Sequence, residues 1–252
     1  MPRFYVDPSK FGRDTVILGD GEFNHIKNVL RKQVGDTLLI CDGEGHEFLC
    51  EISAFLDGEA ELRILERREG NTELSVQITL FQGLPKKDKM ELIIEKSVEL
   101  GAYSIVPVAC SRSVAKLEEG SREEKKIARF NAISEAASKQ CGRGIIPTVT
   151  NQMSFKKAMQ FAKENYDWIL FPYENAEGMK YTDDVIKSIP REAKIAVFIG
   201  PEGGFSPEEV QLAKDCGAKI ISLGRRILRT ETAGLTLLSC LMLHAEVAEE
   251  EE

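Results

Sequence analysis

Two glycine-marked segments hold the residue types best suited to chemistry. The first is Ile199-Gly200-Pro201-Glu202-Gly203-Gly204-Phe205, between an apolar run at Ile195 to Ile199 and Ser206-Pro207-Glu208-Glu209. That last tetrad is a strong helix start, with Ser at the N-cap, Pro at N1 and Glu at N3. Glycines allow close backbone approach to a ligand, and a helix N-terminus favours an anion. Yet Glu202 would repel a polyphosphate, and the lysine of a phosphate-binding loop is missing. The segment therefore suits a cationic or merely polar ligand, or else is a plain strand-to-helix turn.

The second segment is Leu223-Gly224-Arg225-Arg226-Ile227-Leu228-Arg229-Thr230-Glu231-Thr232-Ala233-Gly234. Three arginines create a local positive field that could hold nucleic-acid phosphates. Thr230 as an N-cap and Glu231 in a first helical turn have sufficient structural reasons of their own. Further basic residues lie at Lys86, Lys87, Lys89, Arg112, Lys116, Lys139 and Arg143. Taken singly, each group fits a solvated face. Together they form a basic rim, the footprint of RNA or DNA contact.

Positioning these segments requires a sheet whose carboxyl edge they share. From residue 76 onward, strand and helix patterns alternate. Strands are expected at Val76 to Phe81, Ser104 to Val108, Trp168 to Phe171, Ile195 to Ile199 and Ile220 to Leu223. Helices are expected at Lys89 to Leu100, from a capping box at Ser121 to about Cys141, from Ser154 to Asn165, after a cap at Thr182, from Ser206, and from about Glu231. Such alternation predicts a mostly parallel sheet covered on both faces, with ligands at its carboxyl edge. The last helix is apolar nearly all round (Leu235, Leu237, Leu238, Cys240, Leu241, Met242, Leu243), which predicts packing on its own sheet and against a second subunit.

The first 70 residues differ. Short β-like runs at Val16 to Leu18, Thr37 to Cys41, His46 to Ser53 and Ala60 to Leu65 alternate with turn signals such as Asp57-Gly58. One helix, Asn24 to Arg31, interrupts them. A small β-barrel is expected, with Glu69-Gly70-Asn71-Thr72 as a linker.

The chain has 252 residues, 42% apolar and 29% charged, enough for one large or two modest domains. A net charge of −8 argues against a general polyanion binder, but Glu246 and Glu249 to Glu252 supply five acids in a terminal block. No apolar run spans a bilayer and no signal peptide opens the chain, so a cytoplasmic protein without membrane partners is expected. Six scattered cysteines and three histidines show no zinc spacing; reduced, mostly buried thiols and no metal are expected.

Phe198 to Ser206 and Leu223 to Ala233, in that order, resemble the two cofactor motifs of the RsmE family. These SPOUT-class methyltransferases act on N3 of a uridine in 16S ribosomal RNA. His25 to Arg31, Gly35-Asp36 and Asp42-Gly43-Glu44-Gly45 resemble the family's N-terminal PUA-like domain; Lys86 to Gly101 and Glu135 to Arg143 resemble its central blocks. Cys141 stands where Ser is more usual. The resemblance implies an α/β fold: a PUA-like β-barrel RNA-binding domain over 1–70, then a trefoil-knotted SPOUT methyltransferase domain over 73–248. It also implies S-adenosylmethionine in the knot, a homodimer, and 16S ribosomal RNA within the small subunit as partner.

The implied cofactor residues are Ile199, Gly200, Pro201, Glu202, Gly203, Gly204, Leu223, Gly224, Ile227, Leu228, Thr230, Thr232 and Ala233. A cationic sulfonium agrees with the tolerance of Glu202 for a cation. RNA contact is expected at Arg3, Arg31, Lys86, Lys89, Arg112, Gln140, Arg143 and Arg226, with Glu135, Gln140 and Arg143 shaping a uridine pocket. Uracil N3 bears a proton on the pairing edge, so the base must be unpaired and the proton must leave. Arg229 is expected to stabilise the developing imide anion or clamp a phosphate, with Glu231 a weaker candidate base. Two rival readings stay open: a SPOUT enzyme methylating another atom, such as a ribose 2′-OH or guanine N1, and a non-catalytic RNA-binding or assembly factor.

Overall fold

The computed structural model describes residues 3–86, 89–114, 120–174, 176 and 178–250. Lys87, Lys116, Glu251 and Glu252, noted above for their charge, lie outside the described residues. The chain forms two units: residues 1–73 together with 138–146, and residues 74–137 together with 147–252.

The first unit contains strands β1 (Arg3–Tyr5), β2 (Thr15–Leu18), β3 (Thr37–Cys41), β4 (His46–Leu56) and β5 (Glu59–Glu69), ordered β1-β3-β4-β5-β2. β1, not expected from sequence, pairs parallel to β3, and the other pairs are antiparallel. Asp57 and Gly58 both take positive φ, 46° and 85°, as the tight turn between β4 and β5 requires. Register shifts at Leu49/Cys50 and Ile52/Ala54 are bulges that bend this hairpin. Phe4, Val16, Leu18, Leu38, Ile40, Ile52 and Leu62 share one core. The expected helix begins earlier, as α1 (Asp20–Asn24), and widens into a π turn at His25–Val29 that closes through a Leu30 N–H to His25 C=O bond of 2.8 Å.

The expected linker is not slack. Gly70 N–H donates to Gly45 C=O at 2.9 Å, and the Thr72 hydroxyl accepts the Gly144 N–H at 2.9 Å. Residues 138–146 return to this unit. Glu73 receives the Arg143 guanidinium through Nε, at 3.1 Å, and through Nη2, and also accepts the N–H groups of Gly144 and Ile145. The Tyr5 hydroxyl contacts the carbonyls of Ser138 and Arg143, and Arg3 donates to Gly142 C=O. A single boundary at 70–73 does not anticipate this return.

The second unit holds a parallel sheet of β6 (Gln77–Gly83), β7 (Ser104–Ala109), β8 (Thr148–Val149), β9 (Met153–Ser154), β10 (Trp168–Pro172), β11 (Lys194–Ile199) and β12 (Lys219–Ile221). Its order is β12-β10-β11-β6-β7-β8, with β9 also on β7. β6 and β11 are buried along almost their whole length, as strands covered on both faces must be. Alternate residues serve two cores. Ile78, Leu80, Ile195 and Val197 pack with α2 (Lys89–Glu99), α3 (Ser121–Cys141), α5 (Met179–Lys187) and α7 (Thr230–Glu250). Phe81, Ala196 and Phe198 face α4 (Phe155–Asn165) and α6 (Pro207–Asp215). The Phe81 and Phe198 rings stack with centroids 4.5 Å apart.

Capping differs from expectation at three helices. Ser121 lies inside α3, because Glu124 N–H bonds Gly120 C=O. Thr182 lies inside α5, whose N-cap is Gly178; its buried hydroxyl donates to Ser222 C=O at 2.9 Å. At α7 the Arg229 carbonyl accepts the Ala233 N–H, so Thr230 is not the cap and its hydroxyl is spent elsewhere. The box at Ser206 and Glu209 is present as expected. All six thiols are free, but only Cys41, Cys50 and Cys110 are buried; Cys141 and Cys240 are exposed.

Candidate active site

The carboxyl ends of β10, β11 and β12 and the turn after β7 enclose a cleft of about 570 Å³. Pro172, Tyr173 and Glu174 come from the end of β10, Ile199 to Phe205 from the end of β11 and the loop after it, Ser222 to Gly224, Arg226 to Thr230 and Ala233 from the segment after β12 and the start of α7, and Arg112 from the turn after β7. The two segments picked out by sequence thus wall one space.

The first loop is shaped by close approaches. A Cβ on Gly83, at the end of β6, would sit 2.6 Å from Pro201 N. A Cβ on Gly203 would sit 2.9 Å from Arg112 Cβ and 3.2 Å from its carbonyl oxygen. Real side chains do not fit there, so glycine is required by contact rather than by turn geometry alone. Arg112 also donates to Gly203 C=O at 3.1 Å. The buried Glu209 carboxylate accepts the Ser206 N–H at 2.8 Å and the Ser111 N–H at 2.7 Å, tying this loop to the turn after β7.

Electrostatics at the rim centre on Lys89. Its ammonium lies 3.1 Å from Glu202 Oε1 and 3.2 Å from Glu231 Oε2. Hydrogen bonding to Glu202, then to Glu231, holds the lysine pKa above its ordinary value. Partial burial pulls the Glu202 carboxyl upward, but bonds from its own and the Lys86 N–H and from Lys89 outweigh this and leave it below the usual range. Glu231 is also lowered, first by its own backbone N–H, with Lys89 and Arg229 adding. Glu202 and Glu231 thus share the one Lys89 ammonium, so the carboxylate of the glycine loop is partnered by a cation of the protein itself. A lowered pKa also makes Glu231 a poorer base.

The expected site residues divide. Ile199, Gly200, Pro201, Glu202, Gly203, Gly204, Leu223, Gly224, Ile227, Leu228, Arg229, Thr230 and Ala233 line the cleft, with Lys89, Arg112 and Arg226 beside them. Glu231 and Thr232 do not. Ile227 is 89% exposed. Arg3, Arg31, Gln140 and Arg143 belong to the other unit. Arg31 and Gln140 are exposed. Arg143, expected at RNA, is buried and clasped by Glu73, while Arg3 is paired with Glu47 at 2.7 Å. Sequence reasoning gave no role to Tyr173, Ser222 or Gln82-Gly83, a strand end on the same edge. A glycine ending a buried strand was the available signal for Gly83; nothing in the pattern marked the others. Among the described residues no cluster of His, Cys, Asp or Glu could hold a metal, and no helix is long and apolar enough to cross a membrane.

The donor set fits a nucleoside-like cofactor. The volume is that of a small-molecule site, Ile199, Leu223, Leu228 and Ala233 offer apolar walls, and the glycine loop exposes backbone. A parallel sheet with such a cleft at its carboxyl edge, joined to an N-terminal β unit, has the organisation of RNA methyltransferases. Residues 72–242 match the RNA methyltransferase domain, and residues 18–65 match the RNA methyltransferase PUA domain. The chain is similar to ribosomal RNA small subunit methyltransferase E of Bacillus subtilis, 31% identical with 98% of each chain covered. The enzyme of that name from Mycobacterium bovis is 31% identical over 94% of this chain and 90% of its own. Its counterpart from Neisseria gonorrhoeae, solved bound to S-adenosylmethionine, has a TM-score of 0.78 at 32% identity, covering 96% of this chain and 97% of that one. The chain belongs to the ribosomal RNA small subunit methyltransferase E family.

Proposed function

We propose that this chain methylates N3 of a uridine in small-subunit ribosomal RNA, at the position numbered 1498, with S-adenosylmethionine as donor. The observation that carries this is the shared cleft: both family cofactor motifs wall one space, with Arg229, Arg226 and Arg112 around it. Ile199, Leu223, Leu228 and Ala233 would hold the adenine, and the backbone of Gly200 and Gly203 the ribose and tail. When bound, the cofactor supplies an electrophilic methyl group. Arg229 supplies positive charge for the imide anion that forms as N3 gives up its proton to water. Arg226 and Arg112 hold phosphate. The N-terminal unit positions the RNA, and the trefoil path implied by the family forms the cofactor loops.

The same proposal includes a homodimer working in the cytoplasm. α7 leaves Cys240, Leu243 and Val247 exposed on one side, an apolar stripe that a second copy would cover. The test of function is mass spectrometry of nucleosides after incubating small subunits, or their naked RNA, with cofactor. 3-Methyluridine is expected. A 2′-O-methylated nucleoside or 1-methylguanosine would replace the N3 assignment, and no methylation of either substrate would leave an RNA-binding factor.

A further inference from the structure

Gln82 is the penultimate residue of β6, belongs to neither loop, and is fully buried. Its Nε2 donates to Thr230 Oγ1 at 2.9 Å and to Gly83 C=O at 2.9 Å. Thr230 Oγ1 donates to Gly200 C=O at 2.6 Å. Donor counting fixes these directions. A carbonyl only accepts, so the single hydroxyl proton goes to Gly200, and the hydroxyl must then accept from an amide nitrogen. Both amide protons of Gln82 are used. Its Oε1 is buried with no partner among the described residues.

That orphan acceptor weakens the fold. A leucine would fill similar space without it, so packing does not explain an amide here. The two donated bonds do. Gly200 contributes the only polar group of its peptide with Pro201, because proline has no N–H. Holding that carbonyl sets the direction of the following turn, which closes through Gly204 N–H to Pro201 C=O at 2.9 Å. Thr230 lies at the end of the second loop. The chain Gln82–Thr230–Gly200 therefore spans from the central strand through one wall of the cleft to the other.

We propose that Gln82 is a positioning residue for cofactor binding: acting through Thr230, it locks the Gly200 loop against the Arg229 loop. The inference rests on the proposed S-adenosylmethionine site. A loop fixed in advance does not have to be ordered by the ligand, and affinity rises accordingly.

The experiment is calorimetric titration of S-adenosylmethionine into the full chain, with thermal unfolding measured in parallel. Gln82→Leu should weaken binding roughly 3–10-fold, the range of one or two modest hydrogen bonds, without lowering Tm. Thr230→Val should weaken it roughly 10-fold or more, and Thr230→Ser, which keeps the hydroxyl, much less. The double variant should match Thr230→Val alone, because the proposed route from Gln82 to the Gly200 loop runs through Thr230. Wild-type affinity in Gln82→Leu, with or without a lower Tm, would overturn the proposal. So would effects that multiply in the double variant. Gln82→Met serves if the leucine variant does not fold. A wild-type chain that binds no cofactor would instead sink the proposed function, and this inference with it.

Discussion

Glu231 holds the Lys89 ammonium at 3.2 Å, and the same ammonium reaches Glu202 at 3.1 Å. Both carboxyls lie below their ordinary value of 4.5, so their contribution is present above it and lost as pH falls through the folded values. Lys89 lies above its ordinary 10.5, so its contribution is present below that and lost as pH rises through the folded value. The cluster is charged throughout the neutral range. The pH profile of the methylation rate should show no inflection from Glu231 between about pH 6 and about pH 9. An inflection there that vanishes in Glu231→Gln would make it the base.

Arg229→Ala should lower single-turnover methylation at saturating RNA by roughly 10²–10³, the loss typical of one removed charge-stabilising donor. Cofactor affinity should change little. A near-normal rate together with weaker RNA binding and a shallower salt slope would make Arg229 a phosphate clamp. Arg229→Lys would then work well, because a point charge replaces a clamp better than a planar fork.

Gly203→Val should abolish cofactor binding in a folded protein. The new side chain meets Arg112, whose Cβ would lie 2.9 Å from the added Cβ. Calorimetry with normal affinity would remove this loop from the site.

Glu73→Ala should destabilise the protein clearly, because it removes a carboxylate that a buried arginine and two backbone N–H groups use. Arg143 is 4% exposed, and its guanidinium is bound to Glu73. Denaturant melts should show a far smaller loss for Asp183→Ala, which breaks an exposed pair with Lys187. Equal losses would show that the buried arginine finds other partners. This pair also complicates truncation: removing the first 73 residues strips Arg143 of its carboxylate.

Leu243→Asp should convert a dimer to a monomer in light scattering, and Cys240 should then react faster with a thiol reagent. Leu243 is 61% exposed on the same side of α7 as Cys240 and Val247. A wild-type monomer at micromolar concentration would refute the dimer.

Much of the site was legible because loop chemistry is local. Gly200 to Gly204 and Leu223 to Ala233 each carry their signal in adjacent residues, and strand–helix alternation places both on one sheet edge. What was not legible depends on partners far away in the chain. Thr230 reads as a cap, yet its hydroxyl turns to Gly200, 30 residues earlier. Arg143 reads as a surface cation until Glu73, 70 residues earlier, consumes it. Glu202 reads as a carboxylate that tolerates a cation; that the protein supplies one, Lys89, shows only in the fold. β1 escaped notice because three residues hold no period, and only pairing with β3 makes them a strand.

The return of residues 138–146 has a consequence for synthesis. A chain made from its N-terminus has all five strands of the first unit early, but not the segment that neutralises Glu73 and engages Tyr5. Emergence of that segment trails residue 73 by roughly 4–15 s at ordinary elongation rates. The nascent β unit therefore waits half-finished while much of the next one is translated. Its completion is timed by α3, whose last turn and the residues just after it carry the missing piece.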